Sequence, residues 1–461
     1  MARALYTLLL RLALPAVLLL LWWRGVRRPQ YRVKLRERLA WLPAANEAAA
    51  GHARPIWVHG VSVGEVQAAA PLLRLLHERD PQRPLLLTTA TATGHERAMR
   101  LLGDLMRVPG PGALQLRYAP FDLPGAARRF LRRHAPCAAV FLETEVWPNL
   151  IHELAARRIP AAIVSARVSQ RSVQRYRRYA ARLIASTLAR LDLVAAQSEA
   201  DAQRFLQLGA VPASVAVTGN VKFDFALPPE AEELGGQLRA GYAPQRPLWV
   251  AGSTHQGEED VCLAAQRELA QRAAAAQRPA PLLVLAPRHP ERFETVAKLL
   301  ESRQVNFLRR SQRKAGAAAA QVLLVDGLGE LLAFYAAADA AFVGGSLVPV
   351  GGHNLLEPAA LGRPVLTGPY SFNAPQAAAL LEDAQALVRV DGAQSLADGV
   401  WSALTQTQEA AARGARAAAA VAASRGAAAR TLAALERLLP PTAAAVSGSA
   451  SASAPRPSAS G

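Results

Sequence analysis

The chain has 461 residues, 51% of them apolar, and 53 Lys and Arg against 35 Asp and Glu give a net charge of +18. That length has room for two or three domains of roughly 100–200 residues, and the two cysteines, Cys137 and Cys262, sit in apolar contexts that suggest neither a disulfide framework nor a metal site. There is no RNP motif, finger spacing or basic-aromatic interleaving, which argues against a nucleic-acid partner, and the nine histidines lack metal-ligand spacing.

Residues 1–40 carry nine Lys and Arg against one Glu, so much of the charge is loaded at the front, as suits a membrane surface. Ala4 to Trp23 is nearly unbroken apolar sequence, interrupted by Arg11 and Pro15 and long enough to span a bilayer. Arg24, Arg27, Arg28, Arg32, Lys34, Arg36 and Arg38 follow, and the positive-inside rule places them and the rest of the chain in the cytoplasm. Arg11 at mid-bilayer costs about 2.5–3.5 kcal/mol, so a helix lying in the interface is the alternative to a spanning one.

From about residue 41 to 240, apolar runs alternate with helical patterns. The runs Pro55–Val63, Pro84–Thr91, Leu114–Tyr118, Ala138–Leu142, Ala161–Val164, Leu191–Ala196 and Val215–Thr218 predict strands of a parallel sheet covered by helices on both faces. Ligands of such sheets bind beyond the carboxyl ends of the strands, and the chemistry-bearing motifs follow the runs directly. His59-Gly60-Val61-Ser62-Val63-Gly64-Glu65 ends the first run. It reads either as a nucleophile elbow, Gly60-x-Ser62-x-Gly64, or as a helix start that places Glu65 as a general base. Glu143-Thr144-Glu145-Val146-Trp147-Pro148-Asn149 offers two carboxylates to orient a substrate or a cation, or else a Trp-Pro corner with solvated acids. Ser165 to Arg178 is basic and hydroxyl-rich, either a phosphate contact or a solvated helix face. Lys222, after the last run, suits neutralisation of developing negative charge.

Ala226–Pro247, rich in Pro, Gly and Glu, reads as an interdomain linker. The alternation then restarts. Pro247–Ala251 leads to Gly252-Ser253-Thr254-His255, with Glu258 and Glu259 beyond. Leu282–Ala286 leads to Pro287-Arg288-His289, and Val322–Val325 to Asp326-Gly327-Leu328-Gly329-Glu330. Ala341–Val343 leads through the loop Gly344 to Gly352 into a predicted helix from His353 to Gly362, with Asn354 as its N-cap and Glu357 closing a capping box or reaching a ligand hydroxyl. Free amides and the helix dipole at that start suit an anion. Walker A and Gly-x-Gly-x-x-Gly motifs are absent, which argues against ATPases and dehydrogenases. Ala410 to Leu439 reads as one Ala/Arg helix, and the Ala/Ser/Pro/Gly tail as disordered.

Taken together, these motifs resemble the Kdo transferases, which add 3-deoxy-D-manno-octulosonic acid (Kdo) to the lipid A precursor. The resemblance runs to about residue 440 through Val58–Glu65, Glu143–Leu150, Val217–Asp224, Ser253–Glu259, Pro287–Phe293 and the stretch from Ala340 to Asn373. It implies an α/β protein of the GT-B fold, two Rossmann-like doubly wound domains facing across a cleft, with an N-terminal membrane anchor. The corresponding spans are 1–30 for the anchor, 31–228 for the acceptor domain, 229–440 for the CMP-sugar domain and 441–461 for the tail. The resemblance further implies an inverting transfer from CMP-Kdo to lipid IVA in lipopolysaccharide synthesis, at the cytoplasmic face of the inner membrane, with no cofactor and no metal for the nucleotide. Carried over residue by residue, the general base falls on Glu65, with Glu143 and Lys222 stabilising the transition state. The CMP-binding positions fall on Pro287, Arg288, Leu328, Gly329, Glu330, Asn354, Leu355, Leu356 and Glu357. Ser165, Gln256 and Leu328 depart from the family's usual residues at peripheral positions. The competing readings are a serine hydrolase using Ser62 and a non-catalytic membrane-bound nucleotide-sugar binder.

Overall fold

The computed structural model describes residues 1–27, 35–41, 53–225, 227–312 and 320–442. Arg28, Arg32 and Lys34 of the basic segment, and the tail from residue 443, lie outside the described residues. The chain divides into two units, Met1–Phe225 with the segment from Arg425 onward, and Ala226–Ser424.

The first unit is built on a seven-stranded parallel sheet. Its strands are β1 (Ile56–His59), β2 (Leu85–Thr89), β3 (Leu114–Tyr118), β4 (Ala138–Leu142), β5 (Ala161–Ala166), β6 (Leu193–Ala196) and β7 (Val215–Val217), in the order β3-β2-β1-β4-β5-β6-β7. All seven predicted runs form strands. Continuous burial along β1, β2, β4, β5 and β6 explains why they read as unbroken apolar runs: helices cover both faces. The strand order reverses between β1 and β4, which pair in register from Ile56↔Ala138 to His59↔Phe141. A crevice opens at such a reversal, beyond the carboxyl ends of the two strands.

The second unit repeats the plan with β8 (Leu248–Thr254), β9 (Leu282–Pro287), β10 (Phe307–Arg309), β11 (Val322–Leu324), β12 (Ala340–Val343), β13 (Val365–Thr367) and β14 (Leu387–Arg389), ordered β10-β11-β9-β8-β12-β13-β14. The reversal here lies between β8 and β12. The sequence reading missed β10 and β14. Both are three-residue edge strands ending in arginine, with no fully buried position, so they carry no apolar run to detect.

Three expectations need correction. Ala226–Pro247 is not a linker: Glu230–Tyr242 is a helix packed on Leu331–Ala337. Gly235 lets the two helices close, since a Cβ there would stand 2.7 Å from the Ala336 Cβ. Second, Ala410 to Leu439 is not one helix but two main pieces, Thr407–Ala423 and Ala427–Leu435, separated at Gly426 with φ 85°. Third, the second unit ends at Ser424, not 440. The last helix returns to the first unit, where the Asp224 carboxylate accepts the Gly426 N–H at 2.6 Å and that of Ala428. Arg79 pairs with Glu436 at 2.8 Å and Thr431 bonds Thr218 at 3.0 Å.

Gly252 on β8 tolerates no side chain. An added Cβ would lie 2.1 Å from the Tyr335 hydroxyl, and Tyr335 is only 1% exposed, so its ring has nowhere to go. Gly252→Ala is expected to lose about 1–3 kcal/mol by overpacking, measured as a lower midpoint in urea denaturation.

Candidate active site

In the first unit, the motifs after β1, β4 and β7 converge. The helix Val63–Arg79 begins four residues after the end of β1, with Ser62 as its N-cap, and Glu65 lies in its first turn. Its carboxylate folds back on the turn. Oε2 accepts the Val61 N–H at 2.5 Å and Oε1 accepts the Ser62 hydroxyl at 3.2 Å. Burial raises the Glu65 pKa, and the charge of Glu143 adds to the rise, against the lowering effect of the Val61 amide, the Ser62 hydroxyl and Lys222. A carboxylate so placed is more basic than a solvated one.

Glu143 follows β4 directly in the left-handed region, φ 58°, a conformation that costs a non-glycine residue energy and persists where the surroundings fix it. Its carboxylate is 6% exposed and is held from two sides. Arg167 Nε donates to Oε2 at 3.1 Å, and the Lys222 ammonium forms an ion pair with Oε1. Lys222 sits on a single 3-10 turn, Val221–Phe223, capped by Asn220, whose Oδ1 accepts the Lys222 N–H at 3.0 Å. That turn packs on the Val63–Arg79 helix, and a Cβ on Gly64 would lie 3.8 Å from Lys222 Nζ. The three predicted residues Glu65, Glu143 and Lys222 are therefore brought together at the reversal of the first sheet.

Two further residues belong to this cluster. Arg167, read as phosphate contact or solvated face, is the second cation on Glu143. Glu145 is not a solvated acid: its Oε2 accepts the Trp147 indole N–H at 2.5 Å, and burial, with the charge of Glu65, pushes its pKa up to about 7. The available signal was the i, i+2 spacing from Glu143, but spacing does not tell which acid meets a cation. Ser62 makes its hydrogen bond to Glu65, not to a histidine. Nearby His59 is buried, bonded through Nδ1 to Thr88 Oγ1 at 2.8 Å, and burial lowers its pKa to about 4. The hydrolase arrangement needs a histidine on the serine, and the elbow reading fails for that reason.

In the second unit, the predicted anion seat at the reversal of the sheet is filled by the chain itself. Glu258, completely buried, accepts four backbone N–H groups: His255 at 2.8 Å, Gly345 at 2.7 Å, and Ser346 and Leu347 at 2.9 Å. The glycine-loop amides expected to be free are thus taken by an internal carboxylate. Beside it Glu259, 1% exposed, holds Arg292 through two bonds at 2.6 and 3.1 Å.

The predicted helix from His353 is shorter, Leu356–Ala360, with Leu355 at its N-cap position. Asn354 caps it from one residue further out, its Oδ1 accepting the Leu356 N–H at 3.1 Å and its Nδ2 donating to Glu357 Oε1 at 3.0 Å. Leu355 and Leu356 are 1% and 4% exposed, so their side chains serve the core and only their backbone can meet a ligand. Pro287 ends β9 and Arg288 follows exposed, its N–H bonded to Thr254 O at 3.0 Å. Three imidazoles gather nearby: His255 Nε2 lies 2.8 Å from His353 Nε2, and His289 meets the His255 ring edge-on at 5.2 Å. Burial, then the charge of Arg288, lowers the His353 pKa to about 4. Leu328 is 68% exposed and Gly329 has φ 91°. Glu330 is bonded by Arg310 at 2.8 and 3.1 Å, and both line a depression of about 250 Å³ with Ser311, Asp326 and Gly327. Among the described residues no group of three or more His, Cys, Asp or Glu is arranged to hold a metal ion.

Residues 33–225 match the family model described as 3-deoxy-D-manno-octulosonic-acid transferase. The chain is 38% identical to the 3-deoxy-D-manno-octulosonic acid transferase of Haemophilus influenzae, over 90% of this chain and 93% of that one. The chain belongs to the Kdo transferase family. It is 42% identical to the transferase of the same name from Bordetella pertussis, over 95% of this chain and 99% of that one. Among solved structures, UDP-GlcNAc 2-epimerase of Neisseria meningitidis bound to UDP-GlcNAc is similar at a TM-score of 0.54 and 15% identity, covering 82% of this chain and 99% of that one, a likeness of fold alone. The protein is thus a glycosyltransferase with two Rossmann-like domains of the GT-B type, as the motif resemblance implied.

Proposed function

We propose that the protein transfers Kdo from CMP-Kdo to the lipid A precursor lipid IVA, with inversion, and that Glu65 is the general base. The observation that carries this reading is the grouping of Glu65, Glu143, Lys222 and Arg167 at the reversal of the first sheet. Glu65 takes the proton from the attacking sugar hydroxyl. The hydroxyl oxygen forms a bond to the anomeric carbon as the bond from that carbon to the CMP phosphate oxygen breaks, and the electron pair leaves with CMP. Direct displacement from the opposite side inverts the centre. Lys222 and Arg167 hold the Glu143 carboxylate in place, and Lys222 stabilises the negative charge that develops on the departing phosphate. In the second unit Pro287, Arg288, Leu328, Gly329, Glu330 and Asn354 to Glu357 hold the nucleotide, with Arg288 on phosphate. The acceptor is assigned to the first unit and the CMP-sugar to the second.

The apolar stretch Ala2–Leu20 is long and apolar enough to anchor the enzyme to a membrane. A lipid-linked acceptor fits an anchored enzyme, and the inner membrane with the catalytic units on the cytoplasmic side is the location proposed. The test is incubation of purified protein with CMP-Kdo and tetra-acylated lipid A precursor, read by mass spectrometry. A product heavier by one or more Kdo units is expected; CMP binding without any product would favour a nucleotide-sugar binder and overturn the proposal.

The raised Glu65 pKa fixes the sign of the pH profile. A base works deprotonated, so kcat/KM falls as pH drops through the Glu65 pKa, and that acid limb is expected above the ordinary carboxylate range. The charge of Glu65 is among the causes that raise Glu145, so Glu145 keeps its proton while Glu65 loses its own. Glu145→Gln is therefore expected to leave the acid limb where it is in a pH–rate series. A limb clearly displaced in the variant would show that Glu145 carries charge while Glu65 titrates.

A further inference from the structure

The helix Ala2–Arg27 is tied to the first unit near its amino end. The Tyr6 hydroxyl donates to Asp122 Oδ2 at 2.9 Å, and the Thr7 hydroxyl donates to Asn149 Oδ1 at 2.9 Å. Asp122 is buried, and its carboxylate also accepts the N–H groups of Asn149 at 3.1 Å and Leu150 at 2.8 Å. The tether point is therefore part of the folded unit. The helix packs on Pro148–Ala156 and Ala181–Leu188. Arg3, Tyr6, Thr7, Leu10, Leu14 and Leu18 are half-buried and recur at three- and four-residue spacing, so one stripe faces the protein along most of the helix. On the opposite stripe Leu5, Leu8, Leu12, Leu19 and Trp23 are each more than half exposed. Arg11, exposed, falls at the flank between the two stripes on a 3.6-residue wheel.

A helix that leaves its domain to cross a bilayer puts its amino end on the far side. Here Tyr6 and Thr7, the residues a span would carry across, are the ones bound to Asp122 and Asn149. Length permits a span; the polar contacts do not. An in-plane helix instead has one face on protein, one in the acyl boundary, and a flank from which Arg11 reaches headgroups. One helix further on, across Ala181–Leu188, stands a cationic element. The helix Gln170–Tyr179 packs on Ala181–Leu188, contains no acid, and exposes Arg171, Arg175, Arg177 and Arg178.

We propose that Ala2–Arg27 lies in the plane of an anionic bilayer, between its own domain and the lipid, and that the arginines of Gln170–Tyr179 bind the lipid phosphates. The proposal rests on the membrane reading above and is independent of which sugar is transferred. The first test uses the full-length protein with Cys137→Ser, leaving the buried Cys262 in place. Ala2→Cys and the exposed Tyr179→Cys are each reconstituted in vesicles of phosphatidylcholine with one third phosphatidylglycerol and treated with a membrane-impermeant maleimide. In-plane binding labels both positions to the same fraction without detergent. A span labels them in complementary fractions and overturns the proposal. In the second test, joint replacement of Arg171, Arg175, Arg177 and Arg178 by Gln is expected to lower flotation with the anionic vesicles by about tenfold or more. Binding to pure phosphatidylcholine vesicles should be unchanged. Equal flotation of wild type and variant with anionic vesicles removes the basic helix from the interface. Kdo transfer to detergent-dispersed acceptor is read separately: its absence would sink the functional reading and leave these topology results standing.

Discussion

Glu65→Gln is expected to fold normally and to lose about 10²–10⁴-fold in kcat, the usual contribution of a positioned general base. The amide is isosteric and its oxygen still accepts the Val61 N–H, so the turn after β1 keeps its shape. What it lacks is an oxygen that can take a proton. The KM for the donor should stay within about threefold, because the residues assigned to the nucleotide belong to the second unit, while Glu65 belongs to the first. The measurement is initial-rate transfer with thermal denaturation as the folding control. Ser62→Ala supplies the contrast. It removes a single hydrogen bond to Glu65 at 3.2 Å and is expected to cost less than about tenfold. Near-normal activity in Glu65→Gln together with loss in Ser62→Ala would reverse the assignment of base and bystander.

Glu258→Ala is expected to be the most damaging single change to stability, at about 3–5 kcal/mol. Four backbone N–H groups from two segments, His255 after β8 and Gly345 to Leu347 after β12, converge on that one carboxylate. Removing it leaves buried donors without an acceptor and unties the two strands at the reversal of the second sheet. The melting temperature of the second unit should drop by roughly 10 °C. Glu258→Gln separates charge from volume: one of its two terminal atoms becomes a donor facing donors, so it should recover only a minor part of the loss. A Glu258→Ala melting temperature within a degree or two of wild type would show that the loop is held by something other than this carboxylate.

The strands of the first sheet were legible because each of the seven is a run rich in apolar residues followed by a polar turn; their order was not. Residue types at those turns also located Glu65, Glu143 and Lys222. Their partners were not legible. Arg167 and Lys222 meet Glu143 from segments 24 and 79 residues further along the chain, and no local pattern encodes that pairing. The second unit was harder for two reasons. Its edge strands β10 and β14 are too short and polar to stand out, and its glycine loop looks identical in sequence whether a ligand or the protein's own Glu258 occupies the amides. The Ala/Arg stretch near the end has uniform helical propensity, so its break came from elsewhere: Asp224 caps Gly426 and Ala428 from about two hundred residues away.

Sequence alone determined the class of fold, the family, the identity of the acid after β1 and the presence of an apolar amino-terminal helix, since each is written in local composition and short motifs. Tertiary structure alone decided which acids are paired and which is left basic, which carboxylate fills the loop after β12, where the last helix docks, and that Tyr6 and Thr7 bind the domain. Each of those depends on groups distant in the chain meeting in a desolvated place, where an unpaired charge or amide is too costly to leave, and that cost is a property of position in space rather than of order along the chain.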